Sequence, residues 1–191
     1  MGRPRDDSLD AAILEAALAE LTERGVGEFS VLRVSERAGV GRGTISRRWS
    51  TRNALIIAAL GRLTPTIASP NTGNLEKDLL DICESLVVAE SPERLVTYYR
   101  LGSEAQRDPE LYAEFQSEVI APIVSAIVKV IRNATQRGEI DTVPMTLIAQ
   151  CLLGTIMTTA MQNQPPRPPS PALRRQLVKV LIRGMERYDE T

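Results

Sequence analysis

Apolar residues recur along this chain at three- and four-residue spacings, and sustained alternation of apolar with polar positions is absent, which predicts an all-α protein. Leu9, Ile13, Ala16, Ala17 and Leu21 make one apolar face of a first helix that opens on Ser8 and stops at Gly25 and Gly27, with Phe29 placed to close a small core. Val31, Val34 and Ala38 then mark a short second helix, and Ile45 and Trp49 mark a third over Arg42 to Trp49. Between them Gly39 sits where a sharp turn needs the left-handed backbone that glycine adopts cheaply. The pattern is a helix-turn-helix over about residues 31–49. A fourth helix is expected from Thr51 to about Leu63, and the proline- and glycine-bearing stretch 64–73 is a loop.

Downstream, start and stop signals set the boundaries. A fifth helix opens near Asn74, with Glu76 and Asp78 in its first turn, and runs to about Ala89. Ser91-Pro92-Glu93 and Asp108-Pro109-Glu110 each combine a cap, a first-turn proline and an acid, so a helix starts at both. The second of these runs to Gly138 as one element, with Pro122 kinking or breaking it. An uncharged stretch from Thr142 to Pro166 holds an eighth helix, and Pro171 to Tyr188 a last one, for about nine in all.

Charge matters locally rather than in total. The 191 residues carry 23 basic and 24 acidic side chains, a balance that names no partner. Between Arg33 and Arg62, however, seven arginines (33, 37, 42, 47, 48, 52 and 62) face the single Glu36, a net of +6 on about a sixth of the chain. With Ile45 and Trp49 turned inward, Arg42, Gly43, Thr44, Ser46, Arg47 and Arg48 are left outward or at the helix start, as donors suited to phosphates and base edges. The arginine fork grips a phosphate or the O6 and N7 of guanine in two places. Only three lysines occur in the chain, so the preference for arginine says less than the clustering.

Ala38-Gly39-Val40 followed by Gly43-Thr44-Ile45, an aromatic residue, Ser50-Thr51 and a basic residue before Ala54-Leu55 resembles the DNA-binding domain of the TetR (tetracycline-repressor-like) family of bacterial transcription regulators. The resemblance implies a three-helix DNA-binding domain over residues 1–50 and an all-helical ligand-binding and dimerisation domain over 51–191, joined by the fourth helix. It implies that Arg42, Gly43, Thr44, Arg47 and Arg48 face bases or nearby backbone, and that Arg52 holds a phosphate. Arg52 replaces the family's usual lysine, Trp49 its phenylalanine, and Ser46 its phosphate-contacting tyrosine, which shortens the reach of that contact. Ser30 and Arg33 at the start of the second helix complete the candidate DNA set. Gly2-Arg3-Pro4-Arg5 resembles the basic arm of family members, so Arg3 and Arg5 join it.

The uncharged stretch carries Pro144, Gln150, the threonines at 155, 158 and 159 and Gln162, which fits a helix wrapped in protein better than a membrane span. A chain of this length has few helices to wrap it, so a second copy is expected to cover it, with Leu147, Leu153 and Ile156 from this helix and Leu173, Leu177, Val180, Leu181 and Gly184 from the last. Such a homodimer presents two recognition helices roughly 34 Å apart and reads an inverted-repeat DNA operator. Tyr98, Tyr99, Tyr112, Phe115, Met157 and Met161 are candidates for an apolar effector pocket, with Arg100, Glu104, Gln150 or Thr158 as polar contacts, pointing to a hydrophobic small molecule. For each of these, ordinary core or helix surface is the competing reading.

Enzymatic chemistry finds little support. The absence of histidine removes Ser-His and Cys-His pairs and most metal sites, and Cys83 and Cys151 sit singly in apolar helices. No cofactor or metal is called for, and an N-terminus charged from Arg3 points to the cytoplasm. Two readings remain: a DNA-binding, ligand-responsive regulator that acts by repression, and a dimeric small-molecule or protein-binding module without specific DNA readout.

Overall fold

Side-chain caps fix where the helices begin. The computed structural model describes residues 7–62, 67–88, 107–163 and 167–188. Among them run α1 (Asp7–Arg24), α2 (Val31–Arg37), α3 (Arg42–Ser46), α4 (Arg52–Gly61), α5 (Leu75–Val88), α6 (Pro109–Phe115), α7 (Ala121–Gln136), α8 (Met145–Gln162) and α9 (Pro171–Glu186). Ser30, Thr51, Asp108 and Ser170 each accept a hydrogen bond from the amide three residues on, capping α2, α4, α6 and α9. Asn74 does the same for α5, its Oδ1 accepting from Lys77 N at 2.8 Å. The first helix starts at Asp7, one residue ahead of its expected Ser8 cap. Within 109–136 the chain stays helical, and the irregularity expected at Pro122 takes the form of a π-helical turn, Gln116–Ile120, just before it. Counting that run as one helix, eight helices and no strand occur among the described residues. The helix expected to open at Ser91 lies outside them.

These helices form two units. The first holds α1 to α4 together with residues 107–119; the second holds α5, α7, α8 and α9. In the first, α1 packs on α4 and α2, and α2 on α3, around Ile13, Leu21, Phe29, Val34, Ile45, Leu55, Ile56 and Leu60. In the second, Leu79, Ile82 and Cys83 of α5 meet Ile127, Val130 and Ile131 of α7 and Ala149, Leu152 and Ile156 of α8.

Polar side chains pin the second unit. Asp78 is fully buried, and its Oδ1 accepts from both the backbone N (2.9 Å) and the hydroxyl (2.7 Å) of Thr72. Its Oδ2 lies 3.7 Å from Arg137 Nη2, and Arg137 also pairs with Glu139 at 3.0 Å. Arg174 of α9, only 5% exposed, donates to Pro169 O at 2.8 Å and to Glu84 Oε1 of α5 at 2.6 Å. Asp78→Ala leaves the Thr72 amide and hydroxyl without their acceptor and removes the buried partner of Arg137, and is expected to lower the unfolding free energy by about 3 kcal/mol in urea titrations. Burial also pushes the Cys83 thiol up to about 11. At about pH 8 it therefore stays protonated, and a disulfide-exchange reagent should modify it only after unfolding.

Candidate nucleic-acid interface

The turn between α2 and α3 forms as its residues require. Gly39 takes φ +66°, its amide donates to Glu36 O at 3.2 Å, and Val40 N reaches Ser35 O at 3.0 Å. The chain thus reverses within four residues, and α3 leaves with Ile45 buried and Arg42, Gly43, Ser46 and Arg47 exposed. Thr44, Arg48 and Trp49 are half-buried. The third helix is shorter than expected, because regular α-helix ends at Ser46, although Arg48 N and Trp49 N both still bond to Ile45 O at 2.9 Å.

The arginines do not behave as one free cluster. Arg33 Nε pairs with Glu20 Oε1 at 2.6 Å, and that carboxylate side chain is only 2% exposed. Arg33 Nη2 also donates to Glu28 O, so this residue is turned onto α1. Arg37 forms a two-pronged bridge with Glu23, at 2.8 and 2.6 Å, which holds the Glu23 carboxyl below its ordinary range. Arg48 pairs with Asp10, and Arg62 with Glu15 at 3.8 Å. Arg52 donates to Val26 O and Phe29 O and lies 5.7 Å from the Phe29 ring centre. Of the seven, only Arg42 and Arg47 have no acidic or backbone partner among the described residues. Arg47 Nη2 donates to Thr44 Oγ1 at 3.2 Å.

The acids of α1 were invisible to a count confined to residues 33–62. Their signal was present only in part: Glu15 and Glu23 lie off the face that carries Ile13, Ala17 and Leu21, whereas Glu20 falls on that face and is buried with it. Ser46, expected to donate to a phosphate, turns its hydroxyl back onto Arg42 O at 3.2 Å, and Ser30 is engaged as the α2 cap. Gly43 has ordinary helical backbone, and a Cβ built on it would meet nothing closer than Arg47 Nη1 at 3.5 Å. The fold of the free chain therefore does not demand glycine there.

The remaining expectations scatter. Arg3, Arg5, Tyr98, Tyr99, Arg100 and Glu104 lie outside the described residues. Tyr112 is exposed and Phe115 is buried in the first unit, while Met157 packs against the core of the second. Met161 is half-buried. Gln150 and Thr158 face outward, on an open groove of about 400 Å³ lined by α8 alone. That groove brings Gln150 and Thr158 together without Tyr112, Phe115, Met157 or Met161 in its lining. Of the expected dimer residues, Leu147, Leu173, Val180 and Gly184 are exposed, and Leu177 and Leu181 half-buried. Leu153 and Ile156 are the exceptions: they point into the core of their own unit, 9% and 0% exposed, so they have no surface to offer a partner.

An all-helical chain that opens with a helix-turn-helix and offers arginines on its exposed short helix belongs to the class of helix-turn-helix DNA-binding regulators. Its sequence matches the family model "Bacterial regulatory proteins, tetR family" over residues 13–59 and "Tetracyclin repressor-like, C-terminal domain" over residues 69–181. The chain belongs to the TetR family. It is 30% identical over 141 residues to the HTH-type transcriptional regulator YdeS of Bacillus subtilis, covering 73% of this chain and 71% of that one. Over 171 residues it is 29% identical to the HTH-type transcriptional regulator Rv1556 of Mycobacterium tuberculosis, covering 86% and 84%. Its fold resembles a TetR-family regulator from Mesorhizobium loti, with a TM-score of 0.72 at 19% identity over 96% of this chain and 97% of that one. The TetR-family regulator SCO0332 is similar in the same way, with a TM-score of 0.67 at 23% identity over 93% and 98%. The relatives are regulators, and this protein is a DNA-binding transcriptional regulator rather than an enzyme.

The ion pairs separate scaffold from surface. Arg33→Ala strands the buried Glu20 carboxylate and is expected to cost about 2 kcal/mol of stability in urea unfolding, whereas Arg42→Ala should stay within about 0.5 kcal/mol of the parent. Equal losses for the two would contradict this division.

Proposed function

We propose that this regulator is a repressor that binds an inverted-repeat operator as a two-fold dimer and is released by a small hydrophobic effector. The observation that carries the DNA-reading part is that Arg42 and Arg47 remain without an acidic partner on the exposed side of α3, while the other arginines of the segment are anchored. We assign direct DNA contact to Arg42, Gly43 and Arg47, and phosphate contact to Ser30 and to Arg52, whose guanidinium lies beside the α1–α2 turn. Thr44 and Arg48 support α3 from its half-buried side.

Support for the dimer comes from α8. It is long and apolar enough to cross a membrane by length and composition, yet it buries only one face, through Ala149, Leu152, Leu153, Ile156 and Ala160. Its other face presents Leu147, Cys151, Gly154, Thr155 and Thr158 without a charge, and a groove lined by one helix encloses nothing until a second surface covers it. A second copy of α8 and α9 is the occupant we assign, and a soluble cytoplasmic dimer follows. The hydrophobic character of the effector rests on the uncharged stretch from Thr142 to Pro166.

Three measurements test these assignments. Operator DNA from upstream of the gene should bind selectively, with an affinity that falls steeply as salt rises; Arg42→Ala should weaken it tenfold or more and flatten the slope by about one charge. Gly43→Ala should stabilise the fold by up to about 1 kcal/mol, because the helix gains a better former in open space, while weakening operator binding. Unchanged binding would remove Gly43 from the contact surface. Val180→Lys with Leu147→Lys should give monomers in analytical ultracentrifugation and lose operator binding; a persistent dimer would place the interface elsewhere.

A further inference from the structure

The first unit holds a second basic constellation, made by residues far apart in sequence. Arg24 at the end of α1, Arg52 at the start of α4 and Arg107 just ahead of α6 line one half-open cavity of about 460 Å³, completed by the Val26–Gly27 turn, Glu28 and Asp108. Three guanidinium groups around one hollow repel one another unless negative charge comes between them. Glu28 and Asp108 set two negative charges against the three positive ones, and Asp108 Oδ1 is already engaged as the α6 cap, accepting from Leu111 N at 3.0 Å. Arg52 is satisfied by the carbonyls of Val26 and Phe29. Arg24 and Arg107 make no ion pair or hydrogen bond among the described residues. Two guanidiniums thus face the same space with donors to spare.

The size and the mixed wall say what fits. The volume falls within the roughly 300–1,000 Å³ of small-molecule sites. Glu28 and Asp108 set two carboxylates in the wall, which would meet the phosphates of a duplex backbone with like charge but accept the hydroxyl donors of a compact ligand. We propose that this cavity binds a small organic anion bearing hydroxyl groups, a hydroxycarboxylate or a sugar phosphate, with its anionic group between Arg24 and Arg107. Such a ligand rests against the α1–α2 turn that leads into the Ser30 cap, and beside Arg52. Binding there is coupled to operator binding, and the coupling is reciprocal. This consequence rests on the DNA-reading function proposed above; the binding itself does not.

Calorimetric titration of the full-length protein with citrate and, separately, glucose 6-phosphate, at fixed ionic strength, tests the site. One ligand per chain is expected. Arg24→Ala and Arg107→Ala, both at exposed positions, should each weaken it about tenfold or more with unchanged thermal melts, since each removes a charge-assisted hydrogen bond. Citrate alone binding assigns a carboxylate ligand, glucose 6-phosphate alone a phosphate ligand, and either supports the site. No heat from either probe up to about 10 mM, or equal binding by both variants, overturns it. Anisotropy with labelled operator reads the coupling: the bound probe should shift operator affinity several-fold in the parent and leave Arg107→Ala unmoved. An unshifted parent overturns the coupling. A parent that binds ligand but no DNA upholds the site and sinks the DNA-reading function instead.

Discussion

Helices of seven and five residues do not persist in water by themselves, because too few hydrogen bonds repay the cost of nucleating them. The DNA-reading part of this chain therefore depends on burial supplied from outside it. Val34 and Ile45, essentially inaccessible, are the single anchors of α2 and α3 in a core that also holds Ile13, Leu21, Leu55 and Ile56 of α1 and α4. A polar anchor works beside them. Pairs from Arg33 to Glu20, Arg37 to Glu23 and Arg48 to Asp10 tie both short helices to α1 across sequence separations of 13, 14 and 38 residues.

These pairs also change the electrostatic meaning of the segment. The net of +6 between residues 33 and 62 meets Asp10, Glu15, Glu20 and Glu23, and six less four leaves +2. An unbalanced +6 would strain a unit of this size by self-repulsion and draw it to any polyanion. With most of it neutralised by α1, Arg42 and Arg47 are the arginines of the segment left without an acidic or backbone partner among the described residues. Exposed ion pairs such as Arg37–Glu23 add little stability, and their value here is orientation. Arg33–Glu20 differs, because one partner is buried.

The elements were legible wherever the information was local. The start at Thr51, the cap at Asp108, the turn glycine at position 39 and the 3.6-residue periodicity of α1 are short-range signals, and the helices begin within a residue or two of them. The candidate site was legible only in part. Which arginine is free depends on acids on another helix, and a window along the chain does not see across the fold. Leu153 and Ile156 show the same limit from the apolar side. An uncharged helix offers hydrophobic residues all round, so periodicity does not say which row meets its own core and which is left outside.

That second row carries the consequence for the whole molecule. Buried apolar groups usually mark the inner side of a helix and charged groups the outer, yet α8 has no charge on either side and exposes Leu147, Gly154 and Thr158. A surface that bears no charge is costly to leave in water and easy to cover closely, since neither Gly154 nor Gly184 has a neighbour within 4 Å of where a Cβ would stand. That surface is also a stiff one. The fixings around it are of that kind: Asp78 and Arg137 lock the loop ahead of α5, and Arg174 ties α9 to α5 through Glu84. Asp78 and Arg174 are buried ends of these pairs, and a buried charged group resists displacement far more than an exposed one, so α8 and α9 are held firmly within their own unit.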